Sequence, residues 1–235
     1  MKIVPTVAFS PRIALVDDFE KITTDVDGDG NPCISHGESM ESLIKAFLPD
    51  ADIRRFNIGK NPFGVVSGLT SEVERLLELI KQGEEFDGVN ISRSSHLAGL
   101  FSSLGLGKGV TRDNIHEFRA KLLEQCCMDE RFIDKMIEEM VFSHNVPVFI
   151  SAGNGGPEYI NQLALASGAR IIGATHTDGQ VCGLSPQHSL IHEYHRGIFN
   201  IYRTQNGFSI GGSSYNFKRL TKINETPVFG VIRIA

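Results

Sequence analysis

Four side chains of the types used in acyl transfer occur in this chain in settings that suit such chemistry. Asp17 ends an apolar run, and His36 opens a segment with helical spacing. An imidazole exchanges protons near neutral pH, and a carboxylate on its other nitrogen would orient it. Ser214 follows a pair of glycines that would let a substrate backbone approach, and Asn154 carries an amide that could reach a developing oxyanion.

Each feature also has a simpler explanation when it is taken alone. An aspartate at the end of a strand is commonly a turn or cap residue, and a single histidine commonly has a structural partner. Asp18 follows Asp17 directly, so the two could exchange roles, although the apolar run favours Asp17. The order and setting of the four residues together favour a shared site.

The elements that would position these residues alternate between strand and helix. Apolar, β-branched runs predict strands at 12–17, 52–58, 86–91, 146–150 and 170–174, with a final strand at 227–234. Segments at 37–47, 71–82, about 114–143 and 157–166 favour helices, and 215–222 could form another. This alternation predicts a three-layer α/β fold with a mostly parallel central sheet and helices on both faces.

Three polar segments are expected at one edge of that sheet. Asp17 ends the first strand, 90–94 ends the strand over 86–91, and the turn 151–156 follows a third strand. In an open parallel sheet, ligands bind beyond the carboxyl ends of the strands. The sequence therefore predicts a site where these three segments meet.

The same residues resemble the motifs of the subtilisin-like serine proteases, whose triad runs in the order Asp, His, Ser. The segment 12–18 is similar to the strand that carries the family aspartate, and Ser35-His36-Gly37 resembles its His-Gly motif. The segment 147–154 is the most specific match, to the family's oxyanion segment, and 212–214 stands where the family has Gly-Thr-Ser. The last match favours Ser214 over Ser213 as the nucleophile.

The resemblance implies a single subtilisin-like domain over 1–235 that hydrolyses peptide bonds in a peptide or protein substrate. Ser214 would attack the carbonyl, His36 would transfer the proton, Asp17 would orient His36, and Asn154 would stabilise the oxyanion. The substrate-binding residues implied by the same matches are Ser92, Ser94 and Gly153.

Two departures from the family pattern support an alternative. Glu38 and Ser39 replace the usual Thr-His after the His-Gly motif, which is expected to place a carboxylate near His36. The bulkier, more polar segment 215–219 follows Ser214 where the family has small residues. The alternative is a catalytically inactive member that binds a peptide or protein.

A nucleotide-binding protein or an unrelated hydrolase is disfavoured, because the phosphate-loop and nucleophile-elbow motifs are missing from the sequence.

Metal ligation is a further question for the acidic and histidine-rich segments. Asp25, Asp27 and Asp29 match the first half of an EF-hand loop, but the twelfth position is His36 rather than glutamate. A calcium loop of another type or a solvated acidic turn stays open there, and no cofactor is expected to be required. His188, His192 and His195 would share a helix face, but surface or cleft-lining roles are favoured over zinc.

Composition narrows the partners and the cellular compartment expected for this chain. The chain has 235 residues and a formal net charge of −5, which gives no reason to expect nucleic acid or an anionic membrane as partner. The N-terminal apolar stretch is interrupted by Pro5 and Pro11, so no signal peptide is predicted, and no membrane span is predicted either. The four cysteines show no metal-ligand spacing, and reduced thiols in the cytoplasm are expected.

Overall fold

The described part of the chain is built on a parallel sheet. A computed structural model describes residues 10–20, 35–59, 65–92, 113, 128–154, 156–157, 160–176, 178–204, 207–211 and 222–227. Six parallel strands in the order β2-β1-β3-β4-β5-β6 form this sheet. Their bounds are β1 Arg12–Asp17, β2 Asp52–Asn57, β3 Gly88–Ile91, β4 Val148–Ser151, β5 Arg170–Thr175 and β6 Glu193–Arg196.

Helices cover both faces of the sheet, so the predicted three-layer α/β fold is confirmed. Helix α1 (His36–Phe47) packs on the face that carries Ile13 and Leu15 of β1. Helices α2 (Val65–Lys81) and α3 (Met128–Phe142) pack on the face that carries Ala14 and Val16. The alternation of β1 side chains between two cores explains why its sequence is apolar throughout.

A second, antiparallel sheet follows β6 and was missed by the sequence patterns. Its strands are β7 (Ile198–Thr204), β8 (Gly207–Gly211) and β9 (Lys222–Pro227), in the order β8-β7-β9. The dipeptide Asn206-Gly207, which favours tight hairpin turns, was the available signal between β7 and β8. The residues predicted as a final strand beyond Pro227 lie outside the described part, and Lys222 begins β9 rather than ending a helix.

The helix predicted over 157–166 is wrong. Among the described residues of this range, only a short 3₁₀ helix, Gln162–Leu165, forms, and Asn161 rather than Pro157 precedes it as the N-cap. Its C-cap, Ala166, already has extended backbone, with φ −65° and ψ 122°. The element therefore ends after Leu165 and is too short for several α-helical turns.

Strand order places a topological switch beside β1. The chain passes from β1 through α1 to β2 on one side, and from α2 to β3 on the other side of β1. The two crossovers use opposite faces of the sheet, so the switch point lies between β1 and β3, where ligands of open parallel sheets commonly bind beyond the carboxyl ends of the strands. In the described part of the chain, no helix combines the length and the apolar character that crossing a bilayer requires.

Candidate active site

Asp17 and His36 meet at the carboxyl edge of the sheet. Both carboxylate oxygens of Asp17 lie 2.8 Å from Nδ1 of His36. The Asp17 side chain is 1% exposed, whereas the His36 side chain is 35% exposed. The carboxylate of the pair is therefore buried in the protein, whereas the imidazole is partly accessible to solvent.

The N-terminus of α1 sets the position of His36. Ser35 is the N-cap, and its hydroxyl accepts a hydrogen bond from the Glu38 N–H at 3.1 Å. In return the Glu38 carboxylate accepts from the Ser35 N–H at 3.0 Å, which completes a capping box. Because two N-terminal donors are satisfied locally, α1 begins at His36 with a defined direction.

Gly37 allows that helix end to approach β1 closely. Its N–H donates to the Asp18 carbonyl at 2.8 Å. A Cβ at position 37 would lie 2.8 Å from the Phe19 ring and 2.9 Å from the Asp18 carbonyl oxygen. The glycine after His36 thus has a steric explanation: a larger residue at position 37 would clash with the end of β1 and the turn that follows it.

Asp18 has a different partner from Asp17. One of its carboxylate oxygens accepts from the Glu20 N–H at 2.8 Å. Asn57, opposite Asp17 in β2, accepts from the Phe19 N–H at 3.1 Å and so holds the same turn. Of the two adjacent aspartates, Asp17 is the one in contact with His36, and Asp18 orders the turn that follows β1.

The expected carboxylate beside His36 has a structural use. Glu38 lies two residues along α1, but its carboxylate binds the Ser35 backbone N–H in the capping box. Glu38 therefore acts as the capping partner of Ser35.

Strand β3 brings Ser92 to the same edge. Ile91 pairs with Val16, so Ser92 follows this pair on β3 as Asp17 does on β1. Ser92 is 9% exposed and its hydroxyl donates to the Asn90 side-chain oxygen at 3.3 Å. The Asn90 amide nitrogen is buried without a hydrogen-bond partner among the described residues, an environment that its sequence position in an apolar strand did not predict.

The turn after β4 carries Gly153 and Asn154. Gly153 has a φ of 102°, which a glycine adopts at little cost. Asn154 is exposed, while Ser151 and Ala152 before it are buried. Adjacent strands lie about 4.8 Å apart, so Asn154 follows a strand roughly 10 Å across the sheet from β1. Asp17, Ser92 and Asn154 thus come from β1, β3 and β4 at one edge, as the sequence predicted.

Other predicted site residues lie outside the described part of the chain. These are Ser94, Ser213 and Ser214, together with the calcium candidates Asp25, Asp27 and Asp29. Their roles stay predictions.

The histidines near β6 have structural partners. His188 Nδ1 accepts from the Leu190 N–H, and His192 Nδ1 accepts from the Ile171 N–H, each at 3.1 Å. His195 lies on β6 with Nε2 2.9 Å from Glu193, so the helix face assumed for the three histidines does not form. Across the ranges that the structure describes, no three His, Cys, Asp or Glu side chains are grouped as a metal site.

Asn161 is a buried residue at this edge that the sequence patterns did not single out. Its side-chain nitrogen donates to the Ser151 carbonyl at 2.9 Å, and its N–H donates to the Ala152 carbonyl at 2.8 Å. Asn161 is 0% exposed. The available signal was an N-cap residue two positions before the apolar run 163–166.

Comparison with known proteins identifies the fold. No protein-family model and no curated protein matches the chain. The MycP3 protease of the type VII (ESX-3) secretion system matches with a TM-score of 0.56 at 11% identity, over 94% of this chain and 68% of that one. The self-cleaved protease domain of PatA matches with a TM-score of 0.54 at 13% identity, over 85% of this chain and 72% of that one.

A lanthipeptide protease matches with a TM-score of 0.52 at 16% identity. The match covers 80% of this chain but only 55% of the lanthipeptide protease, so the chain spans just over half of that protein. At these identities the likeness concerns the fold. The chain has the α/β fold found in these proteases.

Proposed function

We propose that this chain is a serine endopeptidase of the subtilisin-like type, in which Asp17, His36 and Ser214 form the triad and Asn154 is the oxyanion donor. The observation that carries the proposal is the contact of both Asp17 oxygens with His36 Nδ1. A buried carboxylate on a partly exposed imidazole at the switch point of a parallel sheet suits proton transfer better than it suits a simple surface ion pair.

The tautomer of His36 follows from this contact. An ionised carboxylate can only accept hydrogen bonds, so Nδ1 carries the hydrogen that it donates to Asp17. In the neutral ring, Nε2 then holds the lone pair. Nε2 is therefore the proposed base that takes the proton of the Ser214 hydroxyl.

The proposed reaction then proceeds in two acyl-transfer steps. Ser214 Oγ attacks the peptide carbonyl, His36 takes its proton, and the Asn154 amide stabilises the oxyanion. Collapse breaks the C–N bond, and His36 returns the proton to the leaving amine. Water, deprotonated by His36, then attacks the acyl-enzyme carbonyl. Collapse breaks the ester C–O bond to Ser214 Oγ and releases the carboxylic acid, and His36 returns the proton to Ser214 Oγ.

Burial of Asp17 supports its proposed role toward the imidazolium that forms during each step. Its Oδ1 also accepts from the Asp18 N–H at 2.7 Å, so the carboxylate is oriented before substrate arrives. A fixed, water-excluded negative charge stabilises a developing positive charge more than a mobile, solvated one does.

Peptide or protein substrates fit the proposed site. Ser92 lies at the end of β3, between Asp17 on β1 and Gly153 beyond β4. With Ser94, these residues would contact the substrate backbone at the open edge. The matched proteins named as proteases support the same substrate class without specifying a sequence.

A fluorophosphonate probe, which reacts with activated serines, tests the proposal. The wild-type protein should be labelled, and Ser214→Ala and His36→Ala should each abolish labelling while the protein stays folded by circular dichroism. Parallel samples with calcium and with a chelator test whether the proposed loop at Asp25, Asp27 and Asp29 contributes. Folded wild-type protein that is unlabelled under both conditions contradicts the proposal and favours an inactive, peptide-binding protein.

A further inference from the structure

Asn161 holds the turn that carries Asn154 through hydrogen bonds. Two of its hydrogen bonds end on consecutive carbonyls of that turn: the side-chain amide on Ser151 and the backbone N–H on Ala152. The side-chain oxygen accepts from the Leu163 N–H at 3.2 Å, so the same residue caps the 3₁₀ helix. One buried side chain therefore ties the end of β4 to the element that follows it.

The turn has a second attachment on the opposite side. The Ala152 N–H donates to the Ile172 carbonyl of β5 at 2.8 Å. With both Asn161 bonds in place, the peptide groups on either side of Ala152 are fixed by three hydrogen bonds. Gly153, with its φ of 102°, then leads directly to Asn154. The direction in which Asn154 leaves the sheet is set by these peptide groups.

We propose that Asn161 is a positioning residue for the oxyanion donor Asn154, an inference that rests on the proposed protease function. Asn161 does not face the substrate, because it is 0% exposed. Its effect passes through the Ser151 and Ala152 carbonyls to the orientation of the exposed Asn154. Oxyanion stabilisation requires donors to be held in place before charge develops, and Asn161 supplies that rigidity.

The substitution Asn161→Ser separates the two roles of the side chain. Serine is a favourable N-cap, so its hydroxyl can still accept from the Leu163 N–H. It is too short to reach the Ser151 carbonyl and carries no amide. Leu165→Val is the matched control, because it removes one methylene from a residue that is 2% exposed in the same 3₁₀ helix and leaves every Asn161 bond intact.

Rates of fluorophosphonate labelling in a double-mutant cycle give the decisive readout. Loss of an oxyanion donor costs roughly 100- to 1,000-fold, so Asn154→Ala should slow labelling by about that factor. We expect Asn161→Ser to slow labelling about tenfold in wild type but less than about threefold in the Asn154→Ala background, because a positioning residue acts through the residue that it positions. Leu165→Val should leave the rate unchanged in both backgrounds.

Two outcomes overturn the inference without touching the proposed function. One is that Asn161→Ser slows labelling by the same factor in wild type and in the Asn154→Ala background. The other is that Leu165→Val slows labelling as much as Asn161→Ser does. Hydrogen exchange of the Ala152 amide provides a measurement that needs no activity, and it should accelerate in Asn161→Ser but not in Leu165→Val. Unchanged exchange contradicts the positioning role of Asn161, whereas an unlabelled wild-type protein contradicts the proposed function itself.

Discussion

Two adjacent carboxylates at the end of β1 have different partners, and this difference is testable residue by residue. Asp17 contacts His36 Nδ1, so Asp17→Asn should let the ring adopt the opposite tautomer and remove the lone pair from Nε2. We expect fluorophosphonate labelling to slow by roughly 1,000- to 10,000-fold. Asp18→Asn is the matched control, because an asparagine oxygen can still accept from the Glu20 N–H. Equal rates for the two variants would contradict the assignment.

Gly37 provides a steric test of the same contact. In Gly37→Ala the new methyl group would meet the Phe19 ring and the Asp18 carbonyl, so α1 must move away from β1. Crowding of this kind costs about 1–3 kcal/mol, measured as a lower free energy of unfolding in urea. Labelling should also slow, because the motion draws His36 from Asp17. Gly183→Ala has nothing within 4 Å of its Cβ and should change neither quantity measurably.

At the residue scale, the sequence was sufficient to pair Asp17 with His36. The ends of parallel strands share an edge, and a histidine at the start of the next helix returns to that edge. It was insufficient for Asn161 and Glu38, because their roles depend on backbone groups that no periodicity reveals. Glu38 was expected to place a carboxylate near His36; the sequence did not reveal that this carboxylate accepts from the Ser35 N–H.

At the scale of an element, the capping box should govern the stability of α1. Ser35→Ala removes the acceptor for the Glu38 N–H, which costs about 1 kcal/mol at a helix N-cap. Glu38→Gln keeps an oxygen that can accept from the Ser35 N–H and should cost much less. Urea denaturation of the two variants checks this order. A larger loss in Glu38→Gln than in Ser35→Ala would contradict the capping role.

Strands with apolar side chains on both faces were predictable, whereas β6 and the length of the 3₁₀ helix were not. Strands β1 and β5 match their predicted ranges closely because apolar side chains fill both of their faces. Strand β6 has the sequence Glu-Tyr-His-Arg with every residue only partly buried, so it offered no hydrophobic pattern. The 3₁₀ helix at 162–165 was overestimated because an apolar run of that length does not distinguish a single turn from a longer helix.

At the scale of the whole molecule, the sheet divides the described core into two unequal parts. Met40 packs with Ile13 and Leu15 under α1, on the face that bears His36. Leu76 packs in the larger cluster under α2 and α3 on the opposite face. Both side chains are 0% exposed, so truncation of either one should be costly. Their effects on the site should differ, because only α1 carries a proposed catalytic side chain.

Met40→Ala and Leu76→Ala test this division. Each should lower the free energy of unfolding by about 2–5 kcal/mol in urea denaturation. Measured on fully folded protein, labelling should slow in Met40→Ala, because the loosened α1 carries His36, and should stay near the wild-type rate in Leu76→Ala. The opposite order would show that the α1 core does not support the site.

The most direct test of the central claim is to identify the residue that a fluorophosphonate labels. Wild-type protein is treated with the probe, digested and analysed by mass spectrometry, with Ser214→Ala and His36→Ala treated in parallel. The account predicts one modified peptide, with the adduct on Ser214, and no adduct in either variant. A folded wild-type protein that carries no adduct, or one on another serine that persists in His36→Ala, would contradict the proposed triad.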